Sequence, residues 1–451
     1  MRGASRLHDL GRVATTEPQL LRRALAHLDN VQVASQLDTL PAAAQDLVLH
    51  TLGSERRPSV LEHMRLEAAA SLVSRIAAED AAKILEELDL DDVTDILQQL
   101  PPERLRDLLS RFDPEDIEEV EELLTYDPST AGGLMTPEIV SVGDEVTVAE
   151  ALRIVQETQD LPDQAFYVYV VDDEERLVGV TSLRVLVTRS PDLPIRDVMR
   201  TSLVSVSVSA DQEDVAHIVS RYDVVSVPVV DAQGCLLGVV TVDDVVDVLR
   251  EEATEDILKM AGAGEAMIDT QSFWASFRAR LPWLMGAALG GLVVALSLTG
   301  FEDALRAVPV LALFMPVVAG MGGNVGTQSS TIVVRGLAVG YIDRRRLKTL
   351  VLREVALGAL LGVVTGLTVS AVASGLGFEG IATLPLVGVL TGGLVGSMTI
   401  AAAVGSGIPL VLERLQIDPA VATGPFVTTA VDVLGLLFYF GLASVLLETP
   451  V

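Results

Sequence analysis

Five stretches of this sequence run for 18 residues or more almost without charge. Leu281–Leu298, Ala307–Val334, Val355–Phe378 and Gly380–Leu412 contain no Asp, Glu, Lys or Arg, and Pro419–Leu447 contains one, Asp432. About 20 apolar residues cross a bilayer as a helix, because every backbone group must find its partner within the segment. The pattern predicts five spans. Glycines recur in them (Gly286, Gly290, Gly291, Gly358, Gly362, Gly366, Gly392, Gly393, Gly396), and small residues let membrane helices pack closely. Buried helices of a large soluble core would not need runs of this length.

Charge divides the chain at the same place. Of the 451 residues, 1–270 hold 22 Lys and Arg against 53 Asp and Glu, a balance of −31. Residues 271–451 hold 10 against 9, a balance of +1, and the two parts make the net −30. An acidic soluble part is joined to a nearly neutral membrane part. Such an acidic surface repels phosphates and excludes a nucleic-acid partner. The single cysteine, Cys235, excludes a disulfide scaffold. The opening MRGASRLHDL has no apolar core and does not read as a signal peptide. Arg344, Arg345, Arg346, Lys348 and Arg353 follow span two, whereas Arg306 beside Glu302 and Asp303 follows span one, Glu379 follows span three and Glu448 is the only charge of the C-terminal tail. Positive loops stay cytoplasmic. This predicts a multi-pass protein of the cell (inner) membrane, with its N-terminus and whole acidic part cytoplasmic and its C-terminus outside.

Residues 1–130 show no strand pattern. Apolar pairs recur every 12 residues (Ile84-Leu85, Ile96-Leu97, Leu108-Leu109), separated by the cap signals Asp91-Asp92, Pro101-Pro102-Glu103 and Asp113-Pro114-Glu115-Asp116. Pro and acids in a first turn fit helix starts, so this acidic N-domain reads as a small α-solenoid. Residues 134–250 are an internal duplication. LMTPEIVSVGDEVTVAEALRIV and YVYVVDDEERLVGVTSLRVLV are answered by VMRTSLVSVSVSADQEDVAHIV and SVPVVDAQGCLLGVVTVDDVVDVL. Asp172 matches Asp231 and Gly179 matches Gly238, both 59 apart, while Met135 and Met199 are 64 apart, which places five extra residues around Asp160–Phe166. Val-rich strand patterns alternate with amphipathic helix patterns. The duplication resembles a tandem pair of cystathionine-β-synthase (CBS) domains, predicted over 131–198 and 199–250. The resemblance implies a regulatory module, and pairs of this kind bind adenine nucleotides through a Thr/Ser-x-x-Asp element. Thr241 to Asp244 supplies it in the second copy, making ATP a candidate ligand; Ser182, followed by Arg184-Val185, lacks the acid in the first. Thr241 and Asp244 equally read as a cap of the following helix. A connecting helix over 251–275, acidic from Glu251 to Met260 and broken at Gly262 and Gly264, then leads to the transmembrane domain at 276–451.

Inside the membrane the chemistry is sparse. A charge at bilayer depth costs about 2.5–3.5 kcal/mol on insertion scales, so Asp432 reads either as part of a water-filled path or as the partner of Arg353 or Arg335. In span two, Gly320-Met321-Gly322-Gly323-Asn324-Val325-Gly326-Thr327-Gln328 interrupts an apolar helix. Unwound backbone survives at this depth only where it lines a cavity or is buried in protein, and its carbonyls would suit a hydrated cation. Close helix packing is the other reading of these glycines. Oxygen ligands without Cys or His favour a hard cation, and Mg²⁺ keeps its waters. All five histidines precede the membrane part, and there is no His-Glu-x-x-His motif. No nucleophile–base pair lies in the spans, so an enzyme is not expected. One carboxylate per chain is thin for a divalent ion, which favours a two-fold homodimer presenting Asp432 twice.

The whole layout, a multidomain membrane protein with a cytosolic α-solenoid domain, an α/β tandem CBS pair, a connecting helix and a five-helix α transmembrane domain, resembles the MgtE-type magnesium channels and transporters. AGGLMTP (131–137), VTVDDVVDVLREEATEDI (240–257), MPVVAGMGGNVGTQS (315–329) and GPFVTTAVDVLG (424–435) carry the resemblance. It implies a homodimer with a pore on the two-fold axis lined by spans two and five, selectivity residues at Asp432, Gly322, Gly323 and Asn324, and a connecting helix that plugs the pore when cytoplasmic Mg²⁺ is high. The chain departs from the pattern at Thr327, where Asn is expected, at Val431, where Ser is expected, and at Leu434, where Thr is expected.

Charge leads to the same regulation. Two subunits at −31 each repel one another unless cations bridge them. Candidate bridging acids are Asp91 and Asp95 (i, i+4 on one helix face), Asp223, Asp244, Asp247, Glu252, Glu255 and Asp256, several of which the resemblance also places at Mg²⁺ sites. Each of them equally suits a solvated face. The expected function is Mg²⁺ transport under negative feedback from cytoplasmic Mg²⁺. The competing reading is a nucleotide-regulated transporter of another divalent cation, such as Co²⁺ or Mn²⁺.

Overall fold

The computed structural model describes residues 18–158, 166–262, 273–338, 347–376 and 383–447. The basic cluster Arg344–Arg346, the insertion near Asp160, the connector from 263 to 272, and the end residues Glu379 and Glu448 lie outside the described residues. The chain forms two compact units, Met1–Leu249 and Arg250–Val451.

The first unit opens with short helices: α1 (Pro18–Leu25), α2 (Asn30–Leu37), α3 (Ala42–Thr51), α4 (Arg57–Glu62), α5 (Leu66–Arg75), α6 (Ala78–Leu85), α7 (Leu90–Gln98), α8 (Pro102–Leu109) and α9 (Pro114–Leu123). Each packs on the helix two before it, so two alternating rows form, as the 12-residue period predicts. Ile84, Leu85, Ile96, Leu97 and Leu108 are buried in one continuous core. Pro102 and Pro114 stand in the first turns of α8 and α9, where the missing N–H has no helical partner to lose. Two arginines tie helices that lie three apart in the row order. Arg104 donates to the carbonyls of Val73 (2.8 Å) and Ile76 (2.6 Å) at the end of α5, and Arg56 donates likewise to Leu25 (2.7 Å) and Leu28 (2.8 Å) after α1. These arginines satisfy carbonyls that a helix terminus leaves unpaired.

After α10 (Ala131–Leu134), the duplicated region builds two three-stranded sheets, β1 (Ser141–Gly143), β2 (Tyr167–Val171), β3 (Leu177–Ser182) and β4 (Val206–Ser207), β5 (Ser226–Val230), β6 (Leu236–Thr241). In each sheet the first strand runs parallel to the second and the second antiparallel to the third. Val170 pairs with Gly179 and Val229 with Gly238, and a bulge follows at the same place in both. Helices α11 (Val148–Glu157), α12 (Leu183–Thr188) and α13 (Gln212–Tyr222) pack beside the strands. The two copies exchange their lead-in segments. Ala131 and Met135 belong to the core of the second sheet, and Met199 packs against the core of the first. The matched glycines make room for this: a Cβ on Gly238 would lie 2.5 Å from the Thr136 carbonyl, and one on Gly179 would lie 2.2 Å from Met199 Sδ. Helix α14 (Val242–Met260) follows β6, with Val245 and Val248 buried in the second sheet's core.

The second unit contains the end of α14 and five helices long and apolar enough to span a membrane: α15 (Phe273–Leu298), α17 (Val310–Ala338), α18 (Leu347–Leu376), α19 (Thr383–Arg414) and α20 (Pro425–Leu446), with a short α16 (Glu302–Ala307) between the first two. Helix α19 is central, packing on α17, α18 and α20, while α15 packs on α20. Gly358, Gly362 and Gly366 form a ridge on α18 where any Cβ would come within 2.5–2.8 Å of α19 backbone or Ala402. Close approach through small residues gives the membrane helices their packing energy.

Candidate functional site

The last span presents one acid. Pro425 starts α20 at its first turn, and Asp432 follows two turns in, half-buried. It makes no ion pair or hydrogen bond with any described residue, and neither Arg353 nor Arg335 pairs with it, which sets aside the ion-pair reading. Its neighbour Val431 is buried against Gly322 and Gly326 of α17. A largely apolar cavity of about 390 Å³ lies near it, between Pro282, Trp283 and Gly286 of α15 and Phe426, Thr429 and Val433 of α20; among its lining residues only Thr429 carries a polar side chain other than the Trp283 indole, and none is an acid.

The glycine stretch in span two does not unwind. Helix α17 is continuous from Val310 to Ala338, so the expected free carbonyls are absent. Its glycines act in packing instead. Gly322 meets Ser397 and Val431, and the Gly326 carbonyl lies where a Cβ on Gly405 of α19 would come within 2.2 Å. Helical hydrogen bonds persist because neighbouring helices approach the glycines closely enough to replace the missing side chains. The predicted pore residues therefore divide. Gly322 is buried at the contact with α19 and α20, Gly323 has open space where its Cβ would be, and Asn324 is exposed on the single chain with Gln328 one turn on. No hydrogen bond joins Asn324 to Asp432.

The cytosolic acids are held under strong mutual repulsion. Asp91 and Asp92 occupy the first turn of α7 and Asp244 the first turn of α14. Burial, then the charges of Asp244, Asp92 and Asp89, push Asp91 well above the carboxylate range. Burial, then Asp244, Glu62, Asp89 and Asp95, push Asp92 to about 8. Burial raises Asp244 to about 6 together with Asp243 and Asp247, against a hydrogen bond from Thr241. Asp91 Oδ1 is sealed from solvent without a hydrogen-bond partner. A buried oxygen of this kind calls for a proton or a cation. Asp95 and Asp247 thus belong to the same field, and Asp223 ends α13 in a left-handed conformation (φ 50°). Among the described residues no three acids or histidines converge closely enough to cage a metal ion within one chain.

At the other end of α14, Lys259 pairs with Glu255 one turn back and with Asp418 (2.8 Å), which precedes the short 3-10 turn Pro419–Thr423 before α20. Asp256 is raised to about 6 by burial and by the charges of Asp418 and Glu252, with Arg335 opposing. The Thr241 hydroxyl lies within hydrogen-bond distance of the carboxylates of Asp243 and Asp244 (2.7 Å), and its one proton serves either. The Thr241 and Asp244 side chains are thus hydrogen-bonded to one another at the start of α14.

Sequence reasoning passed over four residues. Asp92 was read only as a cap signal beside Asp91. Asp418 stood in a charge-poor loop, and its place before Pro419 was the available clue. Lys259 is one of two cations, with Arg250, in an acidic helix. Glu354 abuts the charge-free run Val355–Phe378 and was left outside it, yet it is buried and accepts a hydrogen bond from Ser329 Oγ (2.9 Å).

Comparison with known proteins accounts for nearly all of these elements. The MgtE family model, described as a divalent cation transporter, matches residues 315–442. The MgtE intracellular N domain matches 28–129, and CBS domains match 131–191 and 195–251. The magnesium transporter MgtE of Thermus thermophilus is 42% identical over 334 residues, 73% of each chain. That of Enterococcus faecalis is 38% identical over 330 residues, 73% of this chain and 72% of its own. Among solved structures, the cytosolic domain of the Mg²⁺ channel MgtE in complex with ATP is 36% identical, with a TM-score of 0.47 over 51% of this chain and 95% of its own. With its helical N domain, CBS pair and five candidate spans, the chain belongs to the MgtE family of divalent cation transporters, not to an enzyme family.

Proposed function

We propose that this chain transports Mg²⁺ across the cell membrane as a homodimer, along a path that carries Asp432, and that cytoplasmic Mg²⁺ closes it. The observation that carries the reading is Asp432 itself: an acid two turns inside a membrane helix, without a partner among the described residues, in a family whose relatives are magnesium transporters. Its carboxylate would hold Mg²⁺ through the ion's water shell, because that ion dehydrates reluctantly. A second copy across a two-fold axis would double the charge facing the ion. Asn324, exposed on the single chain beside Gln328, would supply amide oxygens to the same hydrated ion, with Gly322 and Gly323 setting how near the helices come.

Regulation follows from the acids. Protons or Mg²⁺ relieve the repulsion among Asp91, Asp92, Asp95, Asp244 and Asp247. Glu252, Glu255, Asp256 and Asp223 extend the acidic surface that a second copy would meet. Rising Mg²⁺ compacts the cytosolic part, and α14 carries the change to the loop around Asp418. The N-terminus is on the cytoplasmic side and the C-terminus outside, as the positive loop after span two requires. ATP at Thr241 and Asp244 is a modulating ligand in this reading and must break the Thr241–Asp244 hydrogen bond to bind.

The test is Mg²⁺ uptake into liposomes by the wild type and by Asp432→Ala, with Co²⁺ and Mn²⁺ in parallel and with or without ATP. Abolished Mg²⁺ uptake in the variant is expected. Equal uptake by both proteins removes the path, and transport of Co²⁺ or Mn²⁺ in preference to Mg²⁺ under ATP control favours the competing reading.

A further inference from the structure

Span three contains an acid that the path just described does not use. Glu354 lies two turns into α18 and is 6% exposed, and Ser329 opposite it on α17 is 2% exposed. Glu354 Oε2 accepts the Ser329 hydroxyl at 2.9 Å. Burying a carboxylate at membrane depth is costly, so its single described bond must serve something beyond helix packing, which the glycine ridge on the same face of α18 already provides.

Its leverage comes from the geometry of α17. Ser329 follows Gly322 and Gly326 at spacings of seven and three residues, which puts all three on one helix face. That face is buried. Asn324 and Gln328 fall on the opposite, exposed face. Glycine contacts set how near the helices come but add no hydrogen bond, so the fine rotation of α17 depends on its directional bonds. Directional bonds reach α17 before the glycines, from Tyr439 to the Leu311 carbonyl (3.2 Å) and from Ser397 to the Val318 carbonyl (3.4 Å). After the glycines, the Ser329–Glu354 bond takes this role. A helix with its side chains has a radius of about 5–6 Å, so a rotation of about 20° would carry a side-chain tip through about 2 Å. A binding constellation tolerates about 0.5 Å.

We propose that Glu354 is a positioning residue for cation selectivity. Through Ser329 it locks the rotation of α17 below the glycine segment and so fixes where Asn324 and Gln328 stand toward the passing ion. It governs discrimination among divalent cations more than passage itself. The proposal rests on the reading of α17 and α20 as the ion path.

The experiment measures initial Mg²⁺ and Co²⁺ uptake by the full-length protein in liposomes for the wild type, Glu354→Ala, Glu354→Gln, Ser329→Ala, the Glu354→Ala/Ser329→Ala double variant and Asp432→Ala. Loss of a charge-assisted hydrogen bond should lower the Mg²⁺-to-Co²⁺ rate ratio about tenfold in Glu354→Ala and in Ser329→Ala. The double variant should be no worse than either, because one contact is lost in all three. Glu354→Gln keeps an acceptor and should hold the ratio within about twofold. Where Glu354→Ala fails to fold, Ser329→Ala decides. A wild-type ratio in Ser329→Ala overturns the proposal, as does a ratio lost in Glu354→Gln, which would assign the effect to charge. Asp432→Ala separates the two readings: if it transports like the wild type the ion path itself falls, whereas abolished uptake with an unmoved Ser329→Ala ratio removes the positioning role alone.

Discussion

Replacing Asp92 by Asn should strengthen the fold around α7 at neutral pH and blunt its response to Mg²⁺. In the folded chain the carboxyl titrates near 8, against an ordinary 3.8. The protonated form is the one the fold accepts. Its contribution is therefore fully favourable below about pH 3.8, and it is lost as the pH rises towards 8. At pH 7 the unfolded carboxyl is ionised, so folding must restore a proton across about 3.2 pH units. At about 1.4 kcal/mol per unit this costs up to about 4 kcal/mol. Asp91 and Asp244 share the same field, so removing one charge should recover about 2–4 kcal/mol. The assay is hydrogen–deuterium exchange of the full-length protein in detergent, read at the amides of Leu90–Gln98 and corrected for intrinsic rates. Without divalent cations at pH 7, the variant should exchange at least about 30-fold more slowly than the wild type, the equivalent of about 2 kcal/mol. The advantage should shrink by more than half at pH 5. It should also shrink under saturating Mg²⁺, which screens the wild-type acid but has less to gain in the variant. Equal exchange at pH 7, or an advantage that grows as the pH falls, would refute the reasoning.

Gly405→Ala should push α17 and α19 apart, because the new methyl would sit 2.2 Å from the Gly326 carbonyl. Overpacking of this kind costs about 1–3 kcal/mol and should lower the thermal midpoint in detergent by several degrees, whereas Gly407→Ala, with open space around it, should leave the midpoint in place. Equal midpoints for both variants would contradict the contact. Lys259→Gln removes the pairs with Glu255 and Asp418. If these pairs hold the end of α14 against the loop before α20, the variant should need several-fold more internal Mg²⁺ to close. Single-channel recording over an internal Mg²⁺ titration measures this, and closure at lower Mg²⁺ than the wild type would reverse the assignment.

Much of the fold was legible because the signals were periodic or long. The 12-residue repeat of apolar pairs became α6, α7 and α8 in register, the 59-residue offset became two sheets with matched bulges, and the charge-free runs became five long helices. The failures came where one residue type serves two purposes. A run of glycines inside a membrane helix either frees the backbone or lets another helix close upon it, and sequence carries no sign of which. Only the position of Gly405 against Gly326 shows the second in α17. The lead-in exchange between the CBS copies was hidden for a similar reason, since Met135 and Met199 look like ordinary starts of their own repeats. Charge at a boundary misled in another way. Glu354 falls outside the charge-free run because counting by runs ends a segment at its first acid, although the helix continues through it.

The glycine ridge of α18 has a mechanical consequence. Where backbone lies against backbone through Gly358, Gly362 and Gly366, there are no side chains whose rotamers could absorb a sliding motion, and packed interfaces without slack do not deform continuously. Helices α18 and α19 therefore behave as a stator. The slack lies at the opposite edge: 6% of the most apolar stretch of α15 is buried within the chain, against 44% for α19. Among the described residues, helix α15 packs chiefly on α20, the helix that carries Asp432. On the reading of Asp432 as the acid of the ion path, a force delivered along the chain into α15 would reach it through α20, with α18 and α19 as the frame.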